Sequence, residues 1–155
     1  MALIHSKYTQ GALRVPAPQV AGEVVGIRYA HVLTAAQNVT NNIIELAILP
    51  AHARALDLIL DCDDLDSVTA LVLDVGIMSG KPGEALDEAG SARTCGDEYF
   101  DGITTGQAGG VVRPTLAKAF RVDPVPYDRA IGVKIVTQSA TAVQGTIGLT
   151  VLASA

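Results

Sequence analysis

The chain has 155 residues, 49% of them hydrophobic and only 17% charged, with a net charge of −5. That length suits one folded domain with a real core, and a charged fraction below the roughly 25% usual for soluble domains implies a surface partly covered by other protein. The negative balance, with Lys and Arg scattered singly, argues against a nucleic-acid backbone or an anionic membrane surface as the main partner.

Residues 1 to 20 carry little periodicity and hold Pro16 and Pro18, so they read as an extended arm, and residues 21 to 155 as a single β domain. Met1 to Lys7 shows no basic segment followed by an apolar core, and no apolar run approaches ~18 residues. The expectation is a protein made and folded in a cytoplasm, without a membrane span.

Glu23 to Leu33 places Val25, Ile27, Tyr29 and His31 on one face of a strand. Thr34 to Asn42 is polar and reads as a turn. Asn41 to Leu49 resumes as a strand and stops at Pro50. Ala53 to Cys62 and Thr69 to Met78 are the next two strands, with Asp alternating against apolar residues, as at Leu56-Asp57-Leu58 and Leu73-Asp74-Val75. A helix would not place side chains this way, whereas a sheet with one wet face would.

Ser79 to Gly83 breaks the pattern. Residues 83 to 96 form the longest stretch without strand character, and E-A-L-D-E-A within it suits a short helix. Tyr99 to Thr105 is a short strand or a loop, and Gly106 to Gly110 is flexible. Val111 to Val122 reads as a strand confined by Pro114 to an edge or an end, with a helical turn at Leu116 to Phe120 as the alternative. Asp128 to Thr137 and Gln144 to Leu152 are the last strands, joined by a connector of hairpin length. The spacing therefore makes the fold class all-β: an antiparallel β-sandwich or barrel of about eight strands, with an extended N-terminal arm and at most one short helix.

No catalytic signature accompanies these strands. Asp61, Asp63, Asp64 and Asp66 form an acidic corner, but an EF-hand counted from Asp61 would need Gly and Glu where Asp66 and Val72 stand. Their expected role is to bond local backbone N–H groups in a solvated loop. His5, His31 and His52 are isolated, with no zinc-ligand spacing. Cys62 and Cys95 read as two reduced thiols, one or both buried, with a single disulfide as the alternative. No GxSxG elbow is present, and the glycine-rich Gly106 to Gly110 lacks the ending of a P-loop. Paired carboxylates for sugar hydrolysis remain an open alternative, against which stand the 4% aromatic content and the absence of Trp. No cofactor, metal or enzymatic activity is expected.

The run L-P-A-H-A-R-A-L-D-L-I-L-D-C-D-D-L-D-S at 49 to 67, followed by T-A-L-V-L-D-V-G-I at 69 to 77, resembles small virion proteins of tailed bacteriophages. Matching segments are T-G-Q-A-G-G at 105 to 110, D-R-A-I-G-V-K-I at 128 to 135 and G-T-I-G-L-T-V-L at 145 to 152. Within that group the likeness is to capsid cement, or decoration, proteins. This resemblance implies a jelly-roll-like β-sandwich that acts as a dimer or trimer on the outside of a phage head, with the major capsid protein as partner. It supplies no active-site residues. A head–tail connector or tail protein is the structural alternative, and a carbohydrate-binding or hydrolytic sandwich is the alternative of another class. The contact candidates are Tyr8 and Arg14 in the arm, Asp63, Asp64 and Asp66 in the acidic corner, and Gln107 and Gly109 in the glycine-rich loop.

Overall fold

Alternation of apolar side chains builds nine strands in the computed structural model, which describes residues 1–155. In chain order they are β1 (Leu3–His5), β2 (Val24–Leu33), β3 (Ile43–Leu49), β4 (Arg54–Cys62), β5 (Val72–Ile77), β6 (Phe100–Ile103), β7 (Gly110–Val112), β8 (Arg129–Thr137) and β9 (Gly145–Ser154). The first sheet has the order β1-β3-β8-β5-β6 and the second β2-β9-β4-β7. Every pairing is antiparallel except that of β1 on β3. Except for β5 and β6, consecutive strands lie in opposite layers. With β1 set aside, the two four-stranded sets have the order of a jelly-roll-like sandwich.

That crossing pattern corrects one sequence reading. The connector between β8 and β9 has hairpin length, but β8 belongs to the first sheet and β9 to the second, so it spans the layers. The acidic corner does the same between β4 and β5. The reason is burial. A strand can hide one apolar face against the other layer, and crossing lets each strand supply that face to a shared core. Tyr29, Leu33, Leu58, Leu60, Ile147 and Leu149 from the second sheet pack against Ile44, Leu46, Leu73, Val75, Ile131 and Ile135 from the first.

The Val111 to Val122 reading divides in two. Strand β7 ends before Pro114, and a 3-10 turn occupies Ala117–Phe120. Thr34 to Asn42 likewise holds a 3-10 turn at Ala35–Gln37. The short helix suggested for E-A-L-D-E-A does not form. Gly83 and Gly90 on either side adopt left-handed backbone, and Leu86 bridges Ala92 in a tight reversal instead.

The excursion between β5 and β6 overturns the expectation of a sheet with a wet outer face. It lies flat on the outside of the first sheet. Met78 pairs with Cys95, and Gly96 N–H donates to the Ile77 carbonyl. One row of residues across the sheet explains how it fits: His5 pairs with Glu45, Glu45 with Gly132, and Gly132 with Gly76. A Cβ at Gly132 would meet Met78 and Cys95 at 2.8–3.0 Å, and one at Gly76 would collide with Gly96 and Glu98. The two glycines thus form a trough for the returning chain.

Glu45 anchors the other end of that row. Its carboxylate has no solvent exposure, and neither does the guanidinium of Arg93, which donates to it at 2.6 Å. His5 Nδ1 lies 2.5 Å from the other carboxylate oxygen, and Gly83 N–H donates to both oxygens at 3.1 Å. Arg93 also donates to the carbonyls of Ser79 and Glu84. This cluster pins β1 and the excursion to β3. Removing one member of a buried ion pair strands the other charge, whereas replacing both with apolar groups is often tolerated. Glu45→Leu should therefore destabilise the fold by about 3–5 kcal/mol, and adding Arg93→Met should recover much of the loss. Urea denaturation of the two single variants and the double variant measures both effects.

Candidate functional site

Four connections meet at one end of the sandwich, spanning residues 34–42, 63–71, 104–109 and 138–144. The crossings that build the core also bring the acidic corner and the glycine-rich loop together there, although some forty positions separate them in the chain. Leu65 N–H donates to the Gly106 carbonyl at 2.9 Å. Gly109 has φ +73, and a Cβ on it would press on Asp63 and Asp64 backbone at 3.0–3.2 Å. Glycine is required at that position twice over, by its torsion and by the close approach.

The contact candidates separate by exposure. Asp63 and Asp64 are exposed, and each also steadies its own loop, Asp63 by accepting from Thr146 N–H at 2.7 Å and Asp64 from Asp66 N–H at 3.1 Å. Asp66 is only 1% exposed. One of its carboxylate oxygens accepts from Ala70 and Leu71 N–H at 2.7 and 2.8 Å, and the other from Val68 and Thr141 N–H at 3.2 and 3.3 Å. It is a structural clamp joining two connections and presents no carboxylate to solvent. Burial would by itself raise its pKa, but the four backbone donors outweigh burial and hold it below the usual carboxylate range. Gln107 is half-buried and donates to the Leu71 carbonyl at 2.9 Å.

Residues 1 to 20 divide into three parts. Strand β1 extends the first sheet. Residues 6 to 12 form a turn held by Ser6 and Thr9, both buried. The remainder runs without regular structure and exposes Arg14. Tyr8 is half-buried, stacks edge-on against Tyr29 with ring centroids 4.7 Å apart, and donates to the Arg28 carbonyl at 3.4 Å. Sequence reasoning missed this anchorage because the arm shows no period. It also missed Glu45 and Arg93, although a single Glu inside I-I-E-L-A-I-L was the signal available.

The chemistry of the other singled-out residues is quiet. Cys62 lies in the core and Cys95 on the outside of the first sheet, both as free thiols. Burial pushes each up to about 12, so neither is a ready thiolate at neutral pH. His31 sits on β2 near Gln37, and His52 occupies the turn before β4. No three His, Cys, Asp or Glu side chains converge on a point that could hold a metal ion. Four surface clefts are present, all open to solvent. No helix is long and apolar enough to cross a membrane.

What the surface offers is area. On the outside of the second sheet, Val24, Val32 and Val111 are 54%, 52% and 69% exposed, and an Arg28–Asp61 ion pair spans the strand between them. Two packed layers with apolar side chains exposed on one outer face offer extended surface for contact. Comparison with known proteins finds phage capsid chains. The chain is 42% identical to a chain from the capsid of Ralstonia phage GP4, with a TM-score of 0.91, covering 99% of this chain and 97% of that one. It belongs to the phage capsid-protein family that this chain represents. A chain of the cyanophage Pam1 capsid asymmetric unit shares the fold at 22% identity and a TM-score of 0.62, covering 92% of this chain and 91% of that one. No protein-family model and no curated protein matches the sequence.

The Asp66 clamp has a pH signature. A carboxylate whose pKa is lowered by folding stabilises the native state above its unfolded value of about 3.9, and that contribution fades as pH falls through the folded value. Asp66→Asn should lower the thermal midpoint at pH 7, and the gap from wild type should begin to narrow as pH falls below about 4. Differential scanning calorimetry across pH 2–7 reads both; a gap constant with pH would contradict the clamp.

Proposed function

We propose that this protein is a cement, or decoration, protein that binds the outside of a phage head and bridges neighbouring major capsid subunits. The observation that carries the proposal is the full-length correspondence with a capsid chain by a sandwich whose clefts are all open. The mechanism needs no turnover. A protein that binds only the assembled shell adds its binding free energy to that shell. Repetition over a symmetric lattice multiplies a modest contact into a large effect.

The protein acts as a dimer or trimer, and the loop end is its contact region. Asp63 and Asp64 are exposed there beside the glycine-rich loop, and Arg14 is exposed on the irregular part of the N-terminal segment. The backbone roles of Gln107 and Gly109 hold this surface in shape. Low surface charge suits an interface made largely of backbone and apolar contact.

Purified protein added to empty expanded heads should co-sediment with them to a fixed copy number and raise their thermal disruption temperature. Asp64→Lys should weaken binding by about tenfold, in line with the cost of a misplaced interface charge, while leaving the thermal midpoint of the free protein within a few degrees. Formation of rings or tubes by the protein alone, with no binding to heads, would favour a head–tail connector or tail role. Specific hits on a glycan array would favour the carbohydrate-binding alternative.

A further inference from the structure

Strand β2 is the one long free edge of the sandwich. The other sheet edges, β1, β6 and β7, have three, four and three residues, and β2 has ten. Which backbone groups face outward follows from the register. Thr146 N–H and C=O both turn toward Asp63 on the β4 side, so the odd-numbered residues of β9 bond β2. Leu149 pairs with Tyr29, so the odd-numbered residues of β2 complete that ladder and the even-numbered ones face the open edge. Tyr8 hydroxyl caps the Arg28 carbonyl, which points the same way. Beyond Arg28, Ala30 and Val32 leave two N–H and two C=O groups without a partner.

Both residues line a groove of about 530 Å³. The N-terminal segment lines it with His5, Lys7 and Gln10, and the second sheet lines it with Ala30, His31, Val32 and Thr146. No carboxylate lines it, although the chain is acidic overall. The nearby carboxylates already have partners, Glu45 in Arg93 and His5, and Asp63 in Thr146. Lys7 makes no ion pair.

We infer that this edge is a strand-addition site that takes an extended, acidic segment of a shell subunit, pairing with Ala30 and Val32 and setting a carboxylate near Lys7. The inference rests on the cement reading and specifies its contact. Backbone pairing along an exposed sheet edge is a recurrent way to capture an extended peptide. A second copy of this chain fits less well. Its irregular segment at residues 14–20 contributes Arg14, Pro16 and Pro18 and no acid, and proline has no N–H to donate. Symmetric pairing of two β2 strands is obstructed at Arg28, where Tyr8 already occupies the edge.

The test combines hydrogen exchange with two substitutions. In free protein the amides of Ala30 and Val32 should exchange fast, and those of Tyr29 and His31 slowly. On expanded heads the Ala30 and Val32 amides should become protected. Ala30→Pro removes only an outward N–H, which an edge strand tolerates, so the free protein should keep its circular dichroism spectrum while affinity for heads falls at least about tenfold. Lys7→Glu, on an exposed side chain, should weaken binding by a similar factor, and more so at low salt. Should Ala30→Pro fail to fold, amide protection and Lys7→Glu decide the matter. Binding to heads without protection at Ala30 and Val32, and unaffected by Lys7→Glu, would overturn the inference and leave the cement reading standing. Absence of any binding to heads would remove the cement reading and this inference with it. Self-association abolished by Ala30→Pro would assign the edge to a second copy and overturn the acidic-segment assignment.

Discussion

A carboxylate with no access to water organises much of this molecule. Glu45 sits on the outward face of β3, where a sheet would ordinarily meet solvent, and is covered instead by the excursion that carries Arg93. A buried charge must be paired and hydrogen-bonded or the fold will not hold it. Here an imidazole from the N-terminal strand, and a guanidinium and a backbone N–H from the excursion, meet that need. Satisfying one charge therefore fixes the path of the N-terminal strand and of a twenty-residue loop. Gly132 and Gly76 complete the arrangement by letting the returning chain lie against the sheet.

The consequence is an asymmetry between the two layers. The first sheet is closed on both faces, by the core within and the excursion without. The second is closed only within. Its outer face keeps exposed valines, and its edge strand β2 keeps unpaired backbone. The connections at the loop end are stiffened from inside by Asp66 and by the Asn38–Ser139 contacts. A rigid body with one armoured side and one open side suits a protein that must be held in a fixed orientation on an assembly. Rigidity limits the entropy lost on binding, so a moderate area can still hold.

Much of this was legible in the sequence because period-two alternation is a local property. The inward residues of β2, β8 and β9 follow directly from it: Tyr29, Ile131, Val133, Ile147 and Leu149 are all buried. Pro50 ended a strand and Pro114 closed another because proline restricts its own torsion and removes a donor. The likeness of the segments at 49–77 and 128–152 to small phage virion proteins pointed to the family that the full-length structural match bears out. Less was legible at the loop end. Asp63, Asp64 and Asp66 look alike in the chain, yet two are exposed and the third is an internal clamp.

The sequence by itself determined which residues alternate, and hence an all-β sandwich with a hydrophobic seam, because burial of one strand face needs only neighbours along the chain. Only the tertiary structure decided which strands share a sheet, that a hairpin-length connector crosses between layers, and that Glu45 and Arg93 meet across forty-eight positions. Those outcomes depend on contacts between distant segments, where shape and charge must match in space. No local pattern records which edge such packing leaves open.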